Sequence, residues 1–170
     1  MSWCKSGNVS ERKWVLNASP LILLGSIGRM DLLETLCTEI AVPAAVVAEV
    51  CTGPYQDASQ DWLASRAQAY VRHLEQVDPV VKAWDLGAGE SEVLTWARRN
   101  PVYEAILDDR AARNCAVTLG IQVRGTLGVI LLAKREGAID RVQPVFQKLQ
   151  DAGMRIAADV LDKAFRLAGE

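Results

Sequence analysis

Histidine and paired cysteines are almost missing from this chain, which has 170 residues and one histidine, His73. The four cysteines lie far apart and form no Cys-x-x-Cys pair: Cys4, Cys37, Cys51 and Cys115. Zinc sites are built from such pairs or from histidine clusters, so a familiar zinc pattern is excluded. We therefore expect reduced thiols, with Cys37, Cys51 and Cys115 acting as small core residues, and a histidine on the surface.

Long apolar runs and an excess of positive charge are also missing. The longest apolar runs, at 21–24 and 129–133, are far shorter than the roughly 20 residues of a membrane-spanning helix, and the polar N-terminus has no apolar signal region. Nineteen basic and 21 acidic residues give a net charge of −2, which excludes a strongly basic nucleic-acid coat. Half of the residues are apolar, enough for one full core. The composition predicts a cytoplasmic protein that does not contact membranes.

Short apolar segments alternate with helical patterns along the chain. We predict four strands, at 14–16, 39–42, 105–107 and 121–123. We predict nine helices, at 21–27, 31–36, 44–50, 60–72, 91–98, 110–119, 127–135, 142–151 and 158–168. Ser19 is the expected cap of the first helix, with Pro20 at its first position, and Ser59 is the expected cap of the fourth.

Each predicted strand is short and apolar on both faces, which is typical of a parallel sheet covered by helices on both sides. The predicted fold is a three-layer α/β/α domain with a short, mainly parallel central sheet. Residues 1–13 are polar and lack periodicity, so we expect them to form a flexible arm. Residues 14–170 then form a single domain that includes the C-terminal helices.

Polar side chains stand where two of these strands end. Asn17 follows the first strand, and Asp108 and Asp109 follow the third. In open parallel sheets the binding site lies beyond the carboxyl ends of the strands, so these side chains are candidates for a common site. Glu49 lies early in the helix that follows the second strand and is a further candidate.

Glu90 and Glu92 open another helix after a glycine turn. Residues two apart on a helix point about 200° away from each other, so only one of them can fully face the site. Carboxylates without histidine or cysteine favour hard cations such as Mg²⁺ and Mn²⁺, which serve in phosphoryl displacement. Solvated surface carboxylates, and an acidic residue favoured by its helix N-terminus, explain the same spacing.

Six local patterns occur in order along the chain: VLNASPLILL at 15–24, GRMDLL at 28–33, IAVP at 40–43 with a helical run over 46–50, GESE at 89–92, LDDRAAR at 107–113 and GTLGV at 125–129. Together they resemble the PIN-domain proteins, and specifically a branch of small prokaryotic PIN-like proteins related to VapC-type toxins. The resemblance extends over about residues 14–165. It implies a Mg²⁺- or Mn²⁺-dependent endoribonuclease, the toxin of a toxin–antitoxin pair, acting on RNA as a homodimer with an antitoxin protein as partner.

The resemblance also assigns roles to residues. The implied metal ligands are Asn17, Glu49, Glu90, Glu92, Asp108 and Asp109. Among them Glu49, Glu92 and Asp109 are the implied catalytic residues. Ser19 falls where the family often has a small hydroxyl residue beside the first ligand, and we count it among the substrate-binding residues.

PIN nucleases normally carry aspartate at the first site, where this chain has Asn17. An amide oxygen can still bind a hard cation, but the cluster has one negative charge less. An alternative is therefore a catalytically silent PIN-like module that binds RNA or protein. A phosphatase with an aspartyl nucleophile is disfavoured, since the first strand ends in an asparagine.

Basic residues concentrate in the second half of the chain, where residues 98–141 hold eight basic and five acidic side chains. Arg110 and Arg113 directly follow the proposed site, and we predict that they bind substrate phosphate. Solvated helix faces account for the same pattern. The apolar residues of the last two helices suit either a partner surface or packing on their own domain.

Overall fold

The structure, a computed structural model, describes residues 11–54 and 57–170. Its strands are β1 (Lys13–Leu16), β2 (Glu39–Pro43), β3 (Val71–Arg72), β4 (Tyr103–Ile106) and β5 (Val123–Arg124). Its helices are α1 (Ala18–Ser26), α2 (Asp31–Leu36), α3 (Ala44–Cys51), α4 (Ala58–Tyr70), α5 (Pro79–Lys82), α6 (Ala88–Arg99), α7 (Arg110–Thr118), α8 (Thr126–Arg135), α9 (Gln143–Asp151) and α10 (Ala158–Ala168). None of the helices in these two ranges is long and apolar enough to cross a membrane.

The five strands form one sheet in the order β3-β2-β1-β4-β5, and every pairing is parallel. Helices flank this sheet, so the predicted α/β class and three-layer arrangement are confirmed. The central strand β1 carries Trp14, Val15 and Leu16, all with 0% exposure. A strand can be apolar on both faces only when both faces are covered, which is why this run has no polar alternation.

The sequence patterns do not predict two short elements, β3 and α5. The predicted helix at 60–72 ends at Tyr70, and Val71 and Arg72 instead pair with Val42 and Pro43 as β3. Helix α5 spans only four residues. Elements of two to four residues are too short to repeat the periodic patterns from which helices and strands are predicted.

The predicted helix caps are shifted by two residues. Helix α1 begins at Ala18, so Asn17 rather than Ser19 occupies the cap position, and Pro20 is the third helical residue. Asp57, not Ser59, caps α4, because its carboxylate accepts hydrogen bonds from the backbone N–H groups of Ser59 and Gln60. The sequence patterns predict that each helix begins just after its serine, but the chain enters the two helices earlier, at Ala18 and Ala58.

The cysteine prediction is right for two residues and wrong for one. Cys37 and Cys115 are buried, whereas Cys51 is exposed at the C-terminal end of α3. Cys4 lies outside the described residues. Burial raises the pKa of the Cys37 thiol to about 12 and also raises the pKa of Cys115. His73 is exposed, as expected.

These differences predict selective thiol labelling at pH 8. Iodoacetamide reacts with the thiolate, so Cys51 should be alkylated in the folded protein. Cys37 and Cys115 should react only after unfolding, because burial hinders access and keeps them protonated. Peptide mass mapping of native and urea-unfolded samples measures each site separately. Labelling of Cys37 at the rate of Cys51 in the native protein would contradict the packing around α2.

Candidate functional site

The carboxyl ends of β1, β2 and β4 lie side by side because these strands are adjacent and parallel. We call this the carboxyl edge, and it consists of Asn17 after β1, Ala44 after β2 and Leu107 after β4. The backbone N–H of Asn17 donates to the carbonyl of Ile106 at 3.0 Å, which extends the β1–β4 pairing to the edge itself. The first turn of α6 reaches the same edge through Glu90.

Asn17 is the most enclosed polar side chain among the candidate ligands, with 2% exposure. Its Nδ2 donates to Glu90 Oε1 at 3.0 Å. A carboxylate can only accept, so the amide N–H₂ must face Glu90 and the amide oxygen faces away. That oxygen, Oδ1, is buried and has no hydrogen-bond partner among the described residues. An unpaired buried acceptor costs about 1–3 kcal/mol, a cost that a bound cation or donor would remove.

Glu90 and Glu92 serve different partners, as their angular separation predicts. Glu90 faces Asn17, whereas Glu92 Oε2 accepts a hydrogen bond from the backbone N–H of Ala45 at 2.9 Å, in the first turn of α3. The residue in contact with Asn17 is therefore Glu90. The predicted catalytic role of Glu92 stays a prediction.

Glu49 makes the complementary contact in the opposite direction. Its Oε1 accepts a hydrogen bond from the backbone N–H of Gly89 at 2.9 Å, in the first turn of α6. A Cβ at Gly89 would lie 2.6 Å from that oxygen, so the glycine is what allows the approach. Together with Glu92 this gives a reciprocal arrangement in which α3 and α6 each supply a carboxylate to the first turn of the other. One oxygen of each carboxylate takes part in this bond.

The two aspartates after β4 hold helices in place. Asp108 Oδ1 accepts from the Thr126 N–H at 2.8 Å, and its Oδ2 accepts from the Thr126 hydroxyl at 2.6 Å and from the Ser19 hydroxyl at 3.3 Å. Both oxygens of Asp108 are thus engaged. Asp109 is exposed and caps α7, because its Oδ2 accepts from the Ala112 N–H at 2.8 Å. Ser19, predicted to bind substrate, contacts Asp108.

The residues 11–54 and 57–170 contain no group of three or more His, Cys, Asp or Glu side chains placed to share a metal ion. What the fold brings together is a smaller set, the side chains of Asn17 and Glu90, with Glu49 against the same turn of α6. These oxygens suit Mg²⁺ or Mn²⁺, and Mg²⁺ is commonly bound by one or two carboxylates and several waters. The unpartnered Asn17 oxygen therefore fits a single hard cation better than a cluster of ions.

A cleft of about 870 Å³ lies on the side of Asp108, and its lining does not include Asn17, Glu49 or Glu90. Ser19 and Asp108 belong to its wall, and four arginines line it: Arg110, Arg113, Arg124 and Arg155. We call it the arginine cleft. The structure thus places the predicted substrate residues Arg110, Arg113 and Ser19 in one cavity. Arg155 was not predicted, because it lies alone in the connection between α9 and α10, where no periodic or motif pattern marks it.

The parallel sheet, its flanking helices and the amide and acidic groups at the carboxyl edge define an α/β domain with a candidate cation site. A family model described as a PIN domain matches residues 13–170. The chain belongs to the PIN-domain family, as the order of its motifs predicts. No curated protein matches its sequence.

The two aspartates should differ in their effect on stability. Asp108→Ala leaves the N–H and hydroxyl of buried Thr126 without their acceptor, at a cost of about 1–3 kcal/mol for each donor. Asp109→Ala removes one helix cap, at a cost of about 0.5–2 kcal/mol. Equilibrium unfolding in urea measures both. Equal losses in the two variants would show that Asp108 does not anchor α8.

Proposed function

We propose that this PIN-domain protein is a metal-dependent endoribonuclease that hydrolyses phosphodiester bonds with Mg²⁺ or Mn²⁺. The observation that carries the proposal is the buried, unpartnered Oδ1 of Asn17, in a side chain bonded to Glu90. Two further features support it: the donors are all oxygens, and the arginine cleft is lined by Ser19 and Asp108, which follow β1 and β4 as Asn17 does. A hard cation beside a cationic cleft suits a phosphate-containing substrate.

The candidate residues would have different roles in this reaction. Asn17 and Glu90 would hold the cation, with Glu49 contributing the carboxylate oxygen that does not bind Gly89. A cation bound there would lower the pKa of a water nucleophile and neutralise charge on the scissile phosphate. Arg110 and Arg113 would hold the substrate phosphates from the cleft. Glu92 and Asp109, each with one oxygen committed to a helix N-terminus, would orient the site through the other oxygen.

Asparagine at the first position makes a site for one cation more plausible than a site for two. Each carboxylate removed from a cluster lowers its affinity for cations. A second candidate function, a silent PIN-like module that binds RNA or protein, is favoured by one observation. Every candidate carboxylate already accepts a hydrogen bond from the protein, and Asp108 accepts three. The folded site therefore satisfies most of its acids without any ion.

We further propose that the protein acts in the cytoplasm as the toxin of a toxin–antitoxin pair, as a homodimer that an antitoxin covers. This rests on the resemblance to VapC-type toxins. Of the last two helices, α10 offers the partner surface, because Val160 and Leu167 are exposed whereas Val145 and Leu149 of α9 pack inside the domain.

Titration calorimetry with Mn²⁺ tests the cation site. Wild type should bind one ion, and Glu90→Gln should weaken binding at least tenfold because it removes a charge while keeping the acceptor for Asn17. Glu75→Gln is the matched control, since Glu75 is an exposed acid outside the site. The same Glu90 variant should lose cleavage of RNA, and EDTA should abolish cleavage by wild type. A wild type that binds no Mn²⁺ and leaves RNA intact would favour the silent module.

The variant Asn17→Asp should be less stable than wild type and should bind cations more tightly. It places a buried carboxylate against Glu90, and the repulsion is of the order of 2–4 kcal/mol at an intermediate dielectric constant. In EDTA the variant should unfold at lower urea than wild type. Mn²⁺ should reverse this difference in stability. Equal stability in EDTA at pH 7 would mean that residue 17 does not face Glu90.

A further inference from the structure

We propose that Gly87, the residue before α6, is a positioning residue that keeps the carboxylate of Glu90 against Asn17. The inference deepens the proposed function and rests on it, because Asn17 and Glu90 are the residues proposed to hold the cation. It assigns a role to a residue outside the set of candidate ligands.

The backbone at position 87 does not require a glycine. Gly87 has a φ of −60° and a ψ of 162°, an extended conformation that every residue type adopts. It occupies the cap position of α6, where serine, threonine, aspartate or asparagine would add a hydrogen bond. Gly87 is also exposed, so the core does not exclude a larger side chain. Neither local conformation nor core packing accounts for the missing side chain.

A side chain at position 87 would collide with Glu90. A Cβ built on Gly87 would lie 2.4 Å from Glu90 Oε2 and 3.6 Å from Glu90 Cδ. Chain neighbours aside, the described residues bring no other atom within 4 Å of that position. Glu90 is the third residue of α6, and a carboxylate in this position can reach back over the start of its helix. The missing side chain therefore makes room specifically for this carboxylate.

The carboxylate of Glu90 lies between Gly87 and Asn17. Its Oε1 accepts the hydrogen bond from Asn17 Nδ2 at 3.0 Å, and its Oε2 is the oxygen that lies against Gly87. A carboxylate moves as a rigid unit, so a group that displaces Oε2 also displaces Oε1. Asn17 is 2% exposed, and its amide would then be left without its acceptor in a buried place. The hydrogen bond of Asn17 thus depends on the space at position 87.

An alanine at position 87 would turn Glu90 aside and leave the core unchanged. The glutamate side chain has several rotatable bonds, so its carboxylate can swing away from the added methyl group. This movement would withdraw a negative charge from the candidate cation site. The nearby Gly89 offers a contrast, since a Cβ there would lie 2.6 Å from Glu49 Oε1 and would displace that carboxylate instead. The two glycines therefore make room for two different acids.

Hydrogen exchange of the Asn17 side-chain amide, followed by NMR in EDTA, tests the proposal. The Asn17→Asp variant identifies the resonance by its absence. Gly87→Ala should speed the exchange about tenfold, the equivalent of one lost hydrogen bond to a charged acceptor. Gly89→Ala is the matched control, because it adds the same methyl group beside the same helix start, and it should exchange like wild type. In calorimetry Gly87→Ala should bind Mn²⁺ about tenfold more weakly, as expected when a group that orients a ligand is lost.

A double-mutant cycle separates the contact with Glu90 from a change in helix capping. Alanine caps helices less well than glycine, and this effect is present with or without the Glu90 carboxylate. In a Glu90→Ala background, Gly87→Ala should therefore cause no further change in exchange or in Mn²⁺ affinity. Should Gly87→Ala alone not fold, the addition of Glu90→Ala should restore the spectrum of the folded protein.

Three outcomes would overturn the proposal. Wild-type exchange in Gly87→Ala would show that Glu90 does not need the space at position 87. Equal acceleration by Gly87→Ala and Gly89→Ala would mean a general loosening of the start of α6. An undiminished effect of Gly87→Ala in the Glu90→Ala background, on exchange or on folding, would place the cause in the backbone. Since exchange is measured in EDTA, a protein that binds no Mn²⁺ can still pass this test, and one that binds Mn²⁺ can fail it.

Discussion

The parallel pairing of β1 with both β2 and β4 is the constraint on which the site depends. It brings the chain after residues 16, 43 and 106 to one edge, although these points are far apart in sequence. The hydrogen bond from the Asn17 backbone to Ile106 carries this pairing one residue beyond β1. The position of Asn17 at the edge is consequently fixed by the main chain, independently of any ligand.

The reciprocal contacts between α3 and α6 give the acids a structural role besides any chemical one. Glu49 accepts from the first turn of α6, and Glu92 accepts from the first turn of α3. Charged acceptors at helix N-termini are stabilising, so the two helices hold each other's carboxylates at the carboxyl edge. A carboxylate held through one oxygen keeps its second oxygen in a defined direction. The same contacts that stabilise the fold thus preorganise the candidate ligands.

The sequence predicts the parts of this site that follow from strand ends and helix periodicity. Asn17 follows β1 at the carboxyl edge, because parallel strands must end at a common edge. Glu49, expected early in its helix, is instead the sixth of the eight residues of α3. The choice between Glu90 and Glu92 cannot be read from spacing, since it depends on the rotation of α6 against β1. The position of Arg155 in the cleft wall cannot be read from the sequence either, because it depends on the turn that follows α9. The apolar segment around Cys51 predicts a position in the core, but the buried face of α3 is formed by Val46 and Val50.

The asparagine at position 17 accounts for a site that is folded before any ion binds. With an aspartate there, two carboxylates would face each other inside the protein, and the repulsion would have to be offset by a cation. The amide replaces that repulsion with a hydrogen bond to Glu90 and leaves one neutral, buried oxygen without a hydrogen-bond partner. The resulting arrangement needs no cation to offset a repulsion between two carboxylates. In the proposed function, the arginines of the cleft would attract a substrate phosphate by charge. That phosphate would then contribute the negative charge that the asparagine does not.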